Sequence, residues 1–141
     1  MRSVADLLAD ARARLSRVTP DTAFGQVGDG AVLVDIRPAG QRREHGEIPG
    51  SIIVERNHLE WRFDPASDAR IPEATGYQQR VLVICQEGYT SSLAAAALQD
   101  LGLVNATDVV GGYAAWVAAG LPWAPGGQAG VLIAPGASAA V

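Results

Sequence analysis

The sequence predicts an α/β fold, in which a mainly parallel sheet is flanked by helices. Three short runs carry this prediction, at residues 31–36, 51–54 and 81–84, and each is largely apolar and rich in β-branched residues. Such runs are typical of strands buried on both faces of a sheet. Each is separated from the next by turns or helical stretches, and this alternation indicates βαβ units with parallel strands. At 141 residues, the chain has the length of one domain.

An extra helix is predicted at the N-terminus, within residues 1–15, packed on the outside of the domain. Ser3 suits its N-cap, and Asp6, three residues later, completes a capping box. Apolar residues then recur at helical spacing: Val4, Leu7, Leu8, Ala11 and Leu15. A second helix is expected to begin at Thr19-Pro20, because Thr is a good cap and Pro suits the first helical position.

The remaining elements follow from shorter signals. Further strands are expected at residues 16–18 and 107–110, and further helices at 39–45, 93–98 and 113–119. Between them, residues 55–79 are polar and show no sustained period; a connection this long in a compact domain is usually functional. The last stretch, residues 125–141, is rich in Gly, Ala and Pro and has no charged side chain. It is therefore expected to be a disordered tail.

The composition is that of an ordinary globular protein, with 48% apolar residues, 18% charged residues and a formal net charge of −4. This charge argues against a nucleic-acid-binding surface. No run approaches the ~18 apolar residues of a membrane span. The first residues include Asp6 and Asp10 and lack the apolar core of a signal peptide. We therefore expect a cytoplasmic protein whose partners are neither nucleic acid nor membrane.

The single cysteine, Cys85, lies where a predicted strand ends and a predicted helix begins, in the segment CQEGYTSS. One cysteine can form neither an intrachain disulfide nor a cysteine zinc site. A lone cysteine is often only a small buried hydrophobe, but in an open α/β sheet this edge is where ligands bind. Gly88 allows a tight loop, and Thr90, Ser91 and Ser92 are good N-caps for the helix that follows. Several peptide N–H groups and the helix dipole would therefore surround the sulfur. Both effects favour the nucleophilic thiolate.

Three separated segments resemble the rhodanese family. Residues 32–52, VLVDIRPAGQRREHGEIPGSI, resemble its strand–Asp-x-Arg–Pro segment and the following Ile-Pro-Gly turn. CQEGYTSS resembles its active-site loop, and residues 111–123, GGYAAWVAAGLPW, resemble its closing signature. The three occur in the family's order, so the resemblance covers residues 16–124. It implies a five-stranded parallel sheet between helices and a sulfurtransferase that works without cofactor or metal.

The resemblance also implies the mechanism. The thiolate of Cys85 attacks the outer sulfur of a donor such as thiosulfate, and the sulfur remains on the protein as a persulfide. A thiol, cyanide or a partner protein then accepts it. The peptide N–H groups of the loop would cradle the persulfide, those of Gln86, Glu87, Gly88, Tyr89, Thr90 and Ser91. Some members of the family bind or regulate without catalysis, so a non-catalytic binding module is the alternative.

The loop departs from the family pattern at two points. Phosphatase-type relatives have a Cys-x5-Arg pattern whose arginine clamps the phosphoryl oxygens, but Ser91 stands at that position. This argues against phosphatase chemistry. Strong thiosulfate users carry cationic loop residues, whereas this chain has Gln86 and Glu87. An anionic side chain beside a dianionic donor is unfavourable, so thiosulfate is expected to be a poor donor.

Other charged residues are expected near the same edge of the sheet. Asp35 and Arg37 are predicted to have structural roles, because an arginine beside carboxylates such as Glu44 usually forms a buried or half-buried ion pair. Arg56 follows strand 51–54 and should emerge beside Cys85, where it is the best candidate for contacting an anion. The two histidines, His45 and His58, are predicted to be surface or turn residues rather than acid–base groups.

Overall fold

A computed structural model of the chain describes residues 1–126. Six α-helices and four strands alternate in it: α1 Val4–Arg14, α2 Pro20–Gly28, β1 Val32–Asp35, α3 Ala39–His45, β2 Ile52–Ile53, α4 Leu59–Phe63, β3 Val81–Ile84, α5 Thr90–Asp100, β4 Thr107–Asp108 and α6 Gly112–Ala118. A short 3-10 helix, Arg56–His58, precedes α4. Of the tail predicted at 125–141, all but the first two residues lie outside the described part of the chain.

The strands form one parallel sheet in the order β2-β1-β3-β4. The central pair, β1 and β3, is aligned from Val32 beside Val81 to Asp35 beside Ile84. Parallel neighbours need long crossover connections, which the helices and the polar segment 55–79 supply. The carboxyl ends of β1 and β3 therefore meet at one edge of the sheet, and Cys85 follows directly at that edge.

The fifth predicted strand, at residues 16–18, is reduced to a single parallel bridge beside β4, between Val18 and Val109. Val18 donates its N–H to the Asp108 carbonyl (3.1 Å) and accepts from the Val110 N–H (2.8 Å). The pairing stops there because the next residue, Thr19, already caps α2. The strands expected at 16–18, 51–54 and 107–110 are all shorter in the structure, because each pairs with its neighbour over only one or two residues.

The helices cover both faces of the sheet. On one face, Val34, Val83 and Cys85 pack with residues of α4 and α5. On the other, Leu33 and Leu82 pack with residues of α2 and α6. Successive strand residues point to opposite faces, so the strands are buried on both sides, as their apolar runs predict. None of the helices within residues 1–126 is long and apolar enough to cross a membrane.

The N-terminal helix α1 is present and packs against α5. Its predicted capping box forms, with Ser3 and Asp6 exchanging side-chain and backbone hydrogen bonds. The predicted apolar face is only partly used, because Ala11 is buried while Val4 and Leu7 remain exposed. Arg14 also donates hydrogen bonds to Ala96 and Asp100 of α5, and Arg12 donates to the Gly88 carbonyl in the loop that follows Cys85.

Candidate active site

The loop after β3 brings the backbone round the sulfur of Cys85. Gly88 makes the turn with φ +85°, and a Cβ at this residue would lie 2.7 Å from the backbone nitrogen of Gly111. Glycine is therefore required here both for the left-handed conformation and for the close approach of the two chains. Helix α5 then begins at Thr90, with Tyr89 as its N-cap and no side-chain cap.

The sulfur of Cys85 accepts two peptide hydrogen bonds. The Gly88 N–H donates at 3.2 Å and the Ser91 N–H at 3.4 Å, and Cys85 is 4% exposed. In the described structure, no hydrogen bond reaches the sulfur from the other four predicted cradle residues, Gln86, Glu87, Tyr89 and Thr90. The positive end of the eleven-residue helix α5 lies beside the same sulfur. This environment suits an anionic sulfur.

An open cavity of about 280 Å³ lies over the sulfur. One wall is the loop itself, with Glu87, Tyr89 and Thr90; the other includes Gln41 and Arg56. Arg56 thus lines the same cavity as Cys85, and its contact with an anion stays a prediction. Its Nη1 donates to Glu60 at 2.7 Å, so a carboxylate on the same helical segment balances its charge.

The pair of Asp35 and Arg37 is fully buried beside the loop. Arg37 donates through Nε and Nη2 to the Asp35 carboxylate, at 3.0 and 2.8 Å, and through Nη2 to the Gly46 carbonyl at 2.7 Å. Its Nη1 donates to Oε1 of Gln86 at 3.0 Å. The pair therefore contacts the first residue of the cysteine loop, and its predicted structural role extends to that loop.

Tyr113 packs against the Arg37 guanidinium. Its ring lies 4.0 Å from the Arg37 guanidinium carbon, and its hydroxyl donates to the His45 carbonyl at 2.9 Å. Burial disfavours the phenolate and raises the pKa of Tyr113 to about 12, although the charge of Arg37 opposes this effect. The hydroxyl therefore remains a neutral donor at physiological pH.

The two histidines lie away from the sulfur. Neither His45 nor His58 lines the cavity over Cys85, and both side chains are exposed. His45 has Glu44 nearby at 3.7 Å, and His58 is close to Asn57. Within residues 1–126, no three His, Cys, Asp or Glu side chains come together in a way that would hold a metal ion.

The family model for the rhodanese-like domain matches residues 19–119. The chain belongs to the rhodanese-like domain family. The match spans the parallel sheet, the cysteine loop and α6, so the family resemblance of the three sequence segments is confirmed. The N-terminal helix α1 precedes the matched region.

Curated relatives of this rhodanese-like chain include two kinds of protein. A thiosulfate sulfurtransferase GlpE of Pseudomonas entomophila is 33% identical over 71% of this chain and 83% of its own length. The adenylyltransferase and sulfurtransferase MOCS3-2 of Zea mays is 34% identical over 63% of this chain. The aligned part is only 18% of that plant protein's length, so the relationship concerns one domain of it.

Solved structures of rhodanese-like proteins resemble the chain as well. A protein of unknown function from Rhodopseudomonas palustris, RPA3614, described as a possible tyrosine phosphatase, superposes with a TM-score of 0.79. It is 32% identical, and the match covers 87% of this chain and 95% of that one. The human single-domain sulfurtransferase TSTD1 superposes with a TM-score of 0.60 at 23% identity, over 72% of this chain and 95% of its own. The second likeness concerns the fold alone.

The rhodanese-like loop is held by residues that the sequence interpretation missed. Asp108 is completely buried and accepts hydrogen bonds from the hydroxyls of Ser91 and Ser92, both at 2.7 Å, and from Nε of Arg17 at 2.9 Å. The two serines were expected to cap α5, but their hydroxyls point inward to this carboxylate. A charged residue inside the predicted strand 107–110 was the available signal, because a buried carboxylate needs partners.

Proposed function

We propose that the protein is a rhodanese-type sulfurtransferase that carries sulfane sulfur as a persulfide on Cys85. The observation that supports this most is the Cys85 sulfur at the floor of an open cavity, where it accepts N–H bonds from Gly88 and Ser91. Such a site stabilises an anionic sulfur and leaves room for a second sulfur atom. The GlpE relatives, which are thiosulfate sulfurtransferases at 33% and 30% identity, support the same function.

The proposed reaction has two displacements at sulfur. The Cys85 thiolate attacks the outer sulfur of the donor, a new S–S bond forms, and the donor's own S–S bond breaks. With thiosulfate, sulfite leaves with the bonding electron pair. An acceptor thiolate, cyanide or a partner protein's thiolate then attacks the outer sulfur of the persulfide, and the Cys85 thiolate is regenerated. The N–H groups of Gly88 and Ser91 stabilise the negative charge in both steps.

Phosphatase chemistry has less support. Position 91, where phosphatase-type relatives carry arginine, is Ser91, and its hydroxyl is bound to the buried Asp108. The loop therefore offers a phosphoryl group no bidentate cation at the position of that arginine. The description of RPA3614 as a possible tyrosine phosphatase does not carry over to this loop.

The proposal is tested by intact-mass spectrometry after incubation with thiosulfate and, separately, with glutathione persulfide. We expect the gain of one sulfur atom with at least one donor, reversal of the gain by a reducing thiol, and no gain in Cys85→Ser. If neither donor adds sulfur to the wild-type protein, sulfur transfer through Cys85 is excluded. The non-catalytic binding module would then be the better interpretation.

The choice of donor leads to a prediction about Glu87, whose exposed side chain lines the cavity. We expect Glu87→Lys to lower the KM for thiosulfate about fivefold at low ionic strength, because attraction replaces repulsion of a dianion. Steady-state kinetics at low and high salt measure this change, and salt should shrink the difference. Glu87→Gln is the matched control and should lie between the two. A KM that does not change between the wild-type protein and Glu87→Lys would show that the carboxylate does not determine donor specificity.

A further inference from the structure

The carbonyl of Gly88 is bound by two arginine side chains from the N-terminal part of the chain. Nη2 of Arg12, on α1, donates to it at 2.7 Å, and Nη2 of Arg17 donates at 3.0 Å. Charge-assisted hydrogen bonds are about twice as strong as neutral ones, so two of them hold this carbonyl firmly in one orientation. Neither arginine lines the cavity over Cys85.

The orientation of this carbonyl determines the direction of the next N–H group. The peptide bonds of the described chain are all trans, so the Gly88 carbonyl and the Tyr89 N–H point in opposite directions from one planar unit. Since the two arginines do not line the cavity, the carbonyl that they bind faces away from it, and the Tyr89 N–H of the same planar unit faces the other way. The Arg12 guanidinium also lies 5.5 Å from the centre of the Tyr89 ring, so it contacts both residues of this peptide.

The same arginines connect to the residues that donate to the sulfur. Arg17 bridges the Gly88 carbonyl and the buried Asp108 carboxylate, which in turn holds the hydroxyl of Ser91. Arg12 bridges the Gly88 carbonyl and the hydroxyl of Ser92, at 3.1 Å. The two peptide donors to the Cys85 sulfur are those of Gly88 and Ser91. Both residues are therefore held by this polar network.

Attachment of α1 to α5 accounts for the hydrogen bond of Arg12 to Ser92 but not for its hydrogen bond to the Gly88 carbonyl. Arg14, two residues further along α1, already donates to the Ala96 carbonyl at 3.3 Å and to Asp100 at 2.6 Å. These two bonds join the helices without touching the cysteine loop. Arg12 is thus the residue of α1 that contacts the loop itself, through the Gly88 carbonyl.

We propose that Arg12 and Arg17 are positioning residues for sulfur transfer. By binding the Gly88 carbonyl and, through Asp108 and Ser92, the start of α5, they hold in place the Gly88 and Ser91 N–H groups that donate to the sulfur. They also fix and polarise the peptide whose N–H belongs to Tyr89. The anionic sulfur on Cys85 is thereby stabilised by a preorganised loop. The consequence for catalysis rests on the proposed function, whereas the stabilisation of the thiolate can be measured without any sulfur donor.

The test compares Arg12→Met with Arg14→Met in the full chain, using the rate of Cys85 alkylation by iodoacetamide. At neutral pH we expect Arg12→Met to react about tenfold more slowly than wild type, as expected for weakened hydrogen bonding to a charged group. At alkaline pH, where an ordinary thiol is ionised, the two rates should converge. Arg14→Met should react within twofold of wild type at both pH values. Arg17 is left unchanged because its removal would strand the buried Asp108 carboxylate.

Two further measurements separate positioning from other effects. Arg12→Lys keeps one donor for the Gly88 carbonyl and should recover to within about threefold of the wild-type rate. The defect of Arg12→Met should persist at high salt, which screens a distant charge but leaves an oriented peptide unaffected. The proposal is overturned if Arg12→Met reacts at the wild-type rate, if Arg14→Met is equally slow, if salt removes the defect, or if the defect remains at alkaline pH. Absence of a persulfide in the mass experiment would defeat only the proposed function.

Discussion

Arg37→Met should lower the free energy of unfolding by about 3–5 kcal/mol, the cost of leaving a buried charge unpaired. The Asp35 carboxylate is inaccessible to solvent and loses its bidentate partner in this variant. The Gly46 carbonyl and the Gln86 side chain lose their donors as well. Methionine occupies much of the space of the arginine stem, so the loss arises chiefly from the polar contacts. Urea unfolding at neutral pH measures the change through the midpoint and slope.

Two variants serve as controls for Arg37→Met. Arg14→Met breaks a largely exposed pair with Asp100, and such pairs contribute about 0–1 kcal/mol. The double variant Asp35→Asn/Arg37→Met removes the buried charge along with its partner and should be more stable than Arg37→Met alone. If Arg37→Met unfolds with the same midpoint as Arg14→Met, the buried pair does not stabilise the fold as proposed.

Gly112→Ala should both destabilise the domain and impair persulfide formation. A Cβ at this residue would lie 2.4 Å from the Cys85 carbonyl oxygen and 2.8 Å from the backbone nitrogen of Gly88. That nitrogen donates to the sulfur, so relief of the overlap must displace the sulfur's own donor. We expect a loss of about 2–5 kcal/mol, from the left-handed conformation at φ +62° and from overpacking. Persulfide formation should slow at least about tenfold, as when one donor to an anionic centre is misplaced.

Gly50→Ala is the matched control for this prediction. Gly50 has φ +82°, but no atom lies within 4 Å of the position that its Cβ would take. This variant should lose only the roughly 1–2 kcal/mol of the left-handed conformation and should form the persulfide at the wild-type rate. Equal rates for Gly112→Ala and Gly50→Ala, measured by time-resolved mass spectrometry, would contradict the argument from close approach.

Local signals predicted most of the elements because local physics determines them. The capping box of Ser3 and Asp6 and the start of α2 at Thr19-Pro20 involve residues within a few positions of one another. The expectation that Thr90, Ser91 and Ser92 would cap α5 was wrong. Tyr89 holds that position, and the serine hydroxyls are bound to Asp108 instead. The buried Asp108 carboxylate needs hydrogen-bond donors, and the serine hydroxyls supply them.

The sequence also predicted longer strands than the structure contains, because strand ends, like the partners of the serine hydroxyls, depend on tertiary contacts. The sequence marks which residues are apolar enough to be buried, but a strand ends where its neighbour stops pairing. Thus β2 and β4 each pair over two residues, and Val18 forms only one bridge before α2 begins. Such ends depend on partners that are distant along the chain.

The sequence by itself determined the parallel α/β sheet and the position of Cys85 at its edge, because periodicity, caps and turn residues act over short distances. It also excluded an arginine clamp, since Ser91 is read directly from the chain. Only the tertiary structure brought Arg12 and Arg17 to the loop, across 71 to 80 residues of chain, and Arg17 to Asp108, across 91 residues. No local pattern encodes a hydrogen bond whose partners meet only when the helices and the sheet pack together.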